Sequence, residues 1–175
     1  SMGNLKVLSI WEQYSYYYLE GMSATLKIAV VSVLTSILFG IIIGILRLSR
    51  NCVLKNIFAF YVSFIRGTPM LIQIYIVYYS LSFNMTMFTA SVVALTVNAS
   101  AYIGETVRGG IESVDKGQME AARSLGLSHW QAMQEIVIPQ AIKSILPSLC
   151  NQFIILIKNT SMMSVIGVHE LMYNS

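Results

Sequence analysis

The sequence predicts an all-α protein, a polytopic bundle of transmembrane helices, and three observations predict it. Hydrophobic residues make up 55% of the chain and charged residues only 11%, whereas soluble domains carry about 25% charged residues. Two long runs, residues 28–46 and 67–104, contain no charge at all. Such a chain lacks the polar side chains that a water-exposed surface needs, so we expect residues 1–175 to form one membrane domain in a lipid bilayer.

The first predicted span covers residues 25–46. It contains 19 uncharged residues before Arg47, and at about 1.5 Å per residue this run nearly matches the roughly 30 Å hydrocarbon layer. Arg47, Arg50 and Lys55 then cluster in one short loop. Because basic residues concentrate on the cytoplasmic side, this loop is predicted inside and the N-terminus outside. The aromatic segment 11–18 is then predicted to lie at the outer interface as an amphipathic segment.

The second and third predicted spans form a hairpin, residues 57–80 and 87–106. They share an uncharged run of 38 residues, and one helix of that length would overshoot the membrane. A short polar break over residues 80–86 separates them. The sequence RGTP at 66–69 predicts a bend, because proline interrupts helical hydrogen bonding. The chain returns to the cytoplasmic side at Arg108.

A polar loop, residues 109–130, follows the third span and contains a predicted short helix over residues 119–127. The residues there are good helix formers, and Gly126 can adopt the left-handed conformation that ends a helix. Ser128 can then cap the next helix. For any single residue, a solvated connector is the simpler interpretation. The spacing of the whole segment instead favours a helix that docks onto a partner.

The fourth predicted span, residues 140–158, is not an ordinary one. Two prolines restrict its first turns, and only 14 residues separate its two lysines, Lys143 and Lys158. The polar sequence Asn-Thr-Ser follows directly at 159–161. We therefore predict a helix that is broken in mid-membrane, where irregular backbone must line a cavity or be buried in protein.

Several polar residues of the predicted spans are candidates for contact with a solute. An ionisable residue at membrane depth is a functional hypothesis by default, so Lys158 could hold a carboxylate; snorkelling of its ammonium group to the headgroups is an equally good interpretation. Asn98 could bind a ligand or only bridge two helices. Glu105 and Arg108 are expected to form a structural or gating pair. The predicted substrate-binding set is Asn98, Tyr102, Lys158, Asn159 and Ser161.

Other functional classes find no support in the residues. The sequence contains no nucleophile beside a base, no Gly-rich phosphate loop and no cluster with metal-ligand spacing. We therefore expect no catalytic residue, no metal and no cofactor in this chain. The net charge of +3 is not arranged as a basic stripe interleaved with aromatic residues, so no nucleic-acid partner is expected.

Residues 117–139 carry the most specific pattern of the chain. Glu-Ala-Ala at 120–122 is followed after three residues by Gly126, and after nine further residues comes IVIP at 136–139. This spacing resembles the EAA loop of bacterial ABC importer permeases, the cytoplasmic segment that docks onto the ATP-hydrolysing subunit. Ile138 stands where the family more often has Leu. The resemblance implies ATPase-coupling roles for Gly117, Glu120, Ala121, Ala122, Leu125 and Gly126.

Three longer segments, residues 66–79, 100–126 and 139–171, are similar to polar amino-acid importers of the histidine, glutamine and arginine type. The resemblance implies the type I importer fold, with two permease subunits paired as a homodimer or heterodimer in the bacterial inner (plasma) membrane. It also implies an ATP-binding cassette subunit that holds ATP and magnesium, and an extracytoplasmic solute-binding protein that delivers an amino acid. Transport would then proceed by alternating access.

Two departures from the family pattern lead to predictions. The family usually has Lys-Asp-Thr-Ser where this chain has Lys-Asn-Thr-Ser at 158–161. Without that carboxylate, a cationic side chain would lack its partner in a dry site, so a neutral or polar amino acid is predicted over arginine, lysine or histidine. A fifth span should follow Leu171, so four of five expected spans and the coupling helix are predicted here.

Two other classes stay open at this point. A secondary transporter would suit four apolar spans and an intramembrane lysine, although the two halves show no internal similarity of the kind that inverted repeats produce. A membrane subunit that moves no solute would leave Lys158 and its polar neighbours without a role. Dependence of transport on ATP and a partner ATPase discriminates between these classes.

Overall fold

The computed structural model describes the backbone of residues 2–81 and 86–173, and side chains within residues 21–80, 86 and 88–160. All regular secondary structure in these parts is helical, which confirms the predicted fold class. The helices are α1 (Met2–Arg47), α2 (Cys52–Gly67), α3 (Met70–Leu81), α4 (Met87–Glu112), α5 (Lys116–Ser124), α6 (His129–Ala132) and α7 (Ile138–Tyr173), with a π-helical turn over Met133–Val137.

Helix α4 lies at the centre of the bundle. Helices α1, α2, α3 and α7 all pack against it. Its apolar residues Leu95 and Ile103 are almost completely buried, and so are its polar residues Asn98 and Ser100. A helix that is enclosed on all sides can carry polar groups, because neighbouring helices supply their hydrogen-bond partners.

The surface of the bundle is apolar and part of its interior is polar. Phe60 on α2 is 72% exposed, and Leu34 on α1 is also exposed, whereas Ser32 and Ser36 on α1 are completely buried. Water-soluble proteins distribute side chains in the opposite way. This distribution is the one expected of a bundle whose outer surface faces lipid.

Helices α1 and α4 approach each other closely at two glycines. A β-carbon added at Gly40 would lie 2.5 Å from Cγ2 of Ile103, and one added at Gly44 would lie 2.8 Å from Cβ of Val107. Small residues at such positions let the backbone of one helix approach the neighbouring helix closely within a membrane. The crossing therefore depends on the absence of side chains at both positions.

Two described helical segments are long and apolar enough to cross a bilayer, Gly21–Arg47 and His129–Thr160. A third is available if α2 and Met70–Val77, which meet at an angle of 108°, form one broken span. The predicted span 87–106 falls on α4. The assignment of four spans stays a prediction.

The bend predicted at residues 66–69 is confirmed, because α2 ends at Gly67 and α3 begins at Met70. The break predicted at residues 159–161 is wrong, since α7 continues through them to Tyr173. Thr160 shows the physical reason: its buried hydroxyl donates to the Ile157 carbonyl oxygen at 2.6 Å within the same helix. Polar side chains can thus be satisfied there without irregular backbone.

The aromatic segment predicted at the outer interface, residues 11–18, belongs to α1, which is continuous from Met2 to Arg47. At about 1.5 Å per residue, a helix of this length is roughly twice as long as the hydrocarbon layer is thick. The side chains of residues 11–18 lie outside the described residues. Their position relative to the membrane surface stays a prediction.

Candidate functional site

A cavity of about 170 Å³ lies between α4, α7 and the bend that joins α2 to α3. Its apolar wall consists of Met70, Leu95, Ala99, Ile155 and Leu156. Its polar groups are hydroxyls and amides, from Thr68, Asn98, Tyr102, Gln152 and Asn159. No side chain with a formal charge is part of this lining in the described residues. The cavity is therefore suited to a small polar ligand whose groups can hydrogen-bond.

Three residues predicted from the sequence, Asn98, Tyr102 and Asn159, line this cavity together. Asn98 and Tyr102 are one turn apart on α4, and Asn159 faces them from α7. Lys158 is exposed on α7 and takes no part in the lining, a position that suits the snorkelling alternative. The side chain of Ser161 lies outside the described residues.

Sequence reasoning missed three polar residues at or beside the cavity. Thr68 belongs to the sequence of the predicted bend and Gln152 lies within an apolar stretch, so neither position by itself predicts contact with a ligand. Gln73, on α3, is almost completely buried and donates a hydrogen bond to the Ile65 carbonyl oxygen at 2.7 Å. A glutamine in the middle of a predicted span was the available signal, because an amide in an apolar environment needs partners.

A network of charged groups lies one turn along α4 from Tyr102. The Glu105 carboxylate accepts from Arg47 of α1, and from Arg108 at 2.6 Å. Arg66 of α2 lies 3.9 Å from the same carboxylate and 5.4 Å from the centre of the Tyr102 ring. The predicted pair of Glu105 and Arg108 is confirmed as part of a larger structural network. One carboxylate thus connects three helices directly beside the cavity wall.

The predicted short helix of the polar loop is present as α5, and its two ends are well defined. The Asp115 carboxylate accepts from the Gly117 backbone N–H at 2.7 Å and caps its beginning. At its other end, the Leu127 N–H donates to the Ala122 carbonyl oxygen at 3.2 Å. Gly126 has a φ of +89°, as predicted for the residue that ends this helix. This arrangement is a Schellman-type ending, which favours glycine.

The next helix begins immediately, so the turn between α5 and α6 is short and well ordered by hydrogen bonds. The Ser128 hydroxyl and the Gln131 side chain form a reciprocal capping box, as the predicted Ser128 cap requires. Leu125, at the tip of the turn, is 82% exposed, and Trp130 on α6 is also exposed. Exposed large apolar side chains in a polar segment are typical of a protein-binding surface.

The residues predicted to couple to an ATPase occupy two different environments. Ala122 is completely buried, so it supports the turn rather than presenting a contact surface. The exposed members of the set are Gly117, Glu120, Ala121, Leu125 and Gly126. Trp130 was not predicted, although a tryptophan next to a helix cap in a polar loop was a usable signal.

Comparisons with known proteins agree with this architecture. Residues 36–175 match the family described as binding-protein-dependent transport system inner membrane component. The chain is 39% identical over 160 residues to a protein named as a glutamine transport system permease, GlnP, of Rickettsia typhi, covering 89% of this chain and 73% of that protein. It is 40% identical over 160 residues to the arginine transport system permease protein ArtQ of Bacillus subtilis, with the same coverage.

Two solved structures are similar to the fold. A crystal structure of an amino acid ABC transporter with histidines matches with a TM-score of 0.82 and 42% identity, over 91% of this chain and 76% of that chain. An inward-facing structure of the MetNI methionine ABC transporter matches with a TM-score of 0.75 over 89% of this chain and 76% of that chain. Its identity of 22% supports the fold alone.

Proposed function

The chain belongs to the family of binding-protein-dependent transport system inner membrane components, and on this premise we propose that it moves a polar, uncharged L-amino acid into the cytoplasm. Members of this family are permease subunits of ABC importers, which are transport components and not enzymes. The similarity to amino-acid permeases over most of the chain supports an amino acid as the solute.

The uncharged polar lining of the cavity carries the proposed preference for a neutral side chain. Asn98, Gln152 and Asn159 offer amide groups, and among the described residues no lining side chain offers a carboxylate. Placing a guanidinium or ammonium side chain there would remove its hydration without supplying an opposite charge, which is costly. Relatives are named for glutamine and for arginine at nearly equal identity. Their names therefore do not distinguish a neutral from a cationic amino acid, and the proposal depends on the lining.

The turn between α5 and α6 is the proposed docking surface for a separate ATP-binding cassette subunit. Its ends are capped, and Leu125 and Trp130 project apolar side chains from it. A stiff, partly apolar protrusion is suited to a cleft on a partner protein. ATP and magnesium would be held by that partner.

The remaining proposals concern the assembly and its orientation. A second permease subunit, the same or a related chain, completes the pathway, and an extracytoplasmic solute-binding protein delivers the amino acid.

The cluster of Arg47, Arg50 and Lys55 supports a cytoplasmic location for that side of the bundle and an N-terminus outside. In the proposed cycle, ATP binding opens the cavity outward, and hydrolysis returns it to the inward-facing state.

Reconstituted vesicles test the proposal. The full-length permease, its ATPase and its binding protein are incorporated together, and uptake of tritiated L-glutamine and L-arginine is measured with and without ATP. We expect ATP-dependent uptake with a preference for glutamine. A clear preference for arginine would refute the neutral-ligand proposal, and uptake that needs neither ATP nor the ATPase would favour a secondary transporter.

A further inference from the structure

Two buried amide side chains form a continuous link between the α2–α3 bend and the cavity. Gln73 on α3 and Asn98 on α4 are 7% and 8% exposed. The Asn98 Nδ2 donates to the Gln73 Oε1 at 2.9 Å. Asn98 lines the cavity and Gln73 does not, so Gln73 supports the cavity wall from behind.

The bend fixes which way the Gln73 amide points. The Gln73 Nε2 lies 2.7 Å from the carbonyl oxygen of Ile65 and 3.2 Å from that of Thr68. Carbonyl oxygens only accept hydrogen bonds, so the nitrogen of Gln73 must face them and its oxygen must face Asn98. These acceptors are available because α2 ends here, where the last carbonyl groups of a helix lack partners from a next turn.

The orientation of Asn98 follows from that of Gln73. Only the Asn98 nitrogen can donate to the Gln73 oxygen, so the Asn98 Oδ1 is turned away from Gln73. This oxygen accepts no hydrogen bond from the described residues. It is also not one of the completely buried polar atoms that lack a partner, so part of its surface is accessible. It is therefore accessible from the cavity as an acceptor.

We propose that Gln73 is a positioning residue for the ligand cavity: it holds the Asn98 amide so that an acceptor oxygen faces the ligand. The cavity thereby selects a ligand group that carries N–H donors, the ammonium or the carboxamide of an amino acid. With the reverse orientation, Asn98 would offer N–H donors and favour a carboxylate. This inference rests on the proposed function, since it assumes that the cavity holds the transported solute.

Binding of tritiated L-glutamine tests the role of Gln73. It is measured by scintillation proximity on the full-length permease in complex with its ATPase, without the binding protein, and unlabelled neutral and cationic L-amino acids serve as competitors. The variant Gln73→Met keeps the approximate length of the side chain but removes both amide groups. We expect it to weaken glutamine binding about tenfold, the effect of losing one oriented hydrogen bond to a charged or amide group.

Two further variants separate positioning from general packing. Gln73→Glu should bind glutamine within about threefold of the wild type, because a buried carboxyl group stays protonated and can donate to Ile65 while it accepts from Asn98. Thr35→Val removes the 2.7 Å hydroxyl bond between Thr35 of α1 and Thr96 of α4. This control loosens a comparable contact between helices away from the cavity and should leave binding unchanged. Equal weakening in Gln73→Met and Thr35→Val would overturn the proposal.

Asn98→Asp gives an independent result if the Gln73 variants do not assemble. If an oxygen already faces the ligand, the buried and therefore protonated carboxyl group keeps an acceptor there and can still donate to the Gln73 Oε1, so glutamine should bind within about threefold of the wild type. If a nitrogen faces the ligand, glutamine binding should be lost, and the inference is wrong. A wild-type complex that binds none of the amino acids would instead refute the proposed function itself.

Discussion

At the scale of single residues, Glu105 has the most consequential position. Its carboxylate contacts Arg47 of α1 and Arg108 of α4, with Arg66 of α2 close by. The Arg47 Nε is buried without a hydrogen-bond partner, so the stabilisation of this guanidinium depends on its contact with Glu105. Removal of the negative charge of Glu105 would leave the positive charge of Arg47 without its partner. This is more costly than the loss of an exposed ion pair.

We therefore expect Glu105→Gln to lower the free energy of unfolding by roughly 1–3 kcal/mol, since the network is only partly buried. Thermal unfolding of the purified permease–ATPase complex measures this loss. Glu112→Gln is the matched control, because Glu112 is more exposed and contacts Arg108 alone among the described cations. Its expected effect is below about 1 kcal/mol. Equal losses in both variants would show that Glu105 has no special role.

Asn159 leads to a prediction about selectivity. It lines the cavity, and the resemblance to amino-acid importers implies an aspartate at this position. Asn159→Asp supplies a carboxylate for a cationic side chain, so we expect the preference for arginine over glutamine to rise about tenfold or more, as for other charge-assisted hydrogen bonds. Competitive uptake into reconstituted vesicles measures the ratio.

Lys158→Gln provides the comparison for that experiment, because Lys158 is the neighbouring residue but is exposed away from the cavity. The selectivity ratio should remain that of the wild type. A large change in selectivity from Lys158→Gln, with none from Asn159→Asp, would reverse the roles assigned to these two residues.

At the scale of elements, the segment from α5 to α6 is defined almost entirely by local hydrogen bonds. The caps at Asp115 and Ser128 and the positive φ of Gly126 fix its shape. These are short-range effects, which explains why the Gly126 ending and the Ser128 cap were predicted from the sequence. The Asp115 cap was not predicted, and the predicted helix 119–127 lies three residues too far along the chain at both ends.

Gly126→Ala tests the docking surface. An L-residue in the left-handed conformation costs roughly 1–2 kcal/mol, so the turn should be distorted and co-purification of the ATPase with the permease should fall. Leu125→Ala should have a similar effect through lost apolar contact. Ser124→Ala, on the same segment, should retain the ATPase. If all three variants retain it while membrane insertion is normal, this turn is not the docking surface.

The crossing of α1 and α4 gives a second test at this scale. Gly44→Val would force a side chain into Val107, and overpacking of this kind costs roughly 1–3 kcal/mol. Gly21→Val lies on the same helix, where an added β-carbon meets nothing within 4 Å, so it should leave the melting temperature nearly unchanged. The difference between the two melting temperatures measures the close approach. Similar values for both would contradict it.

The sequence was least informative where tertiary contacts decide. Asn159 and Thr160, directly after the predicted span 140–158, suggested irregular backbone, yet α7 continues because Thr160 bonds within the helix. Lys158 drew attention as an intramembrane charge, but its direction depends on how α7 is rotated against α4, which one sequence does not determine. The role of Gln73 was not predicted, because its partner Asn98 is 25 residues away in the sequence.

At the scale of the whole molecule, three features follow one another along α4: the cavity, the charged network and the helix end that leads to α5. Asn98 and Tyr102 line the cavity, Glu105 anchors the charged network, and Glu112 ends the helix three residues before the Asp115 cap of α5. The other long helices surround this axis. Removal of the ATPase is therefore expected to abolish uptake while leaving glutamine binding to the solubilised permease measurable.

The uninterrupted course of α4 has a mechanical consequence. From Asn98 to Glu112 the helix covers about 20 Å, with neither a proline nor a loop in between. An α-helix resists compression along its axis, so a displacement of its end at Glu112 along that axis would be transmitted to Asn98 at the cavity. If the proposed docking surface moves with the nucleotide state of a partner ATPase, we expect the cavity wall at Asn98 to move by a similar distance.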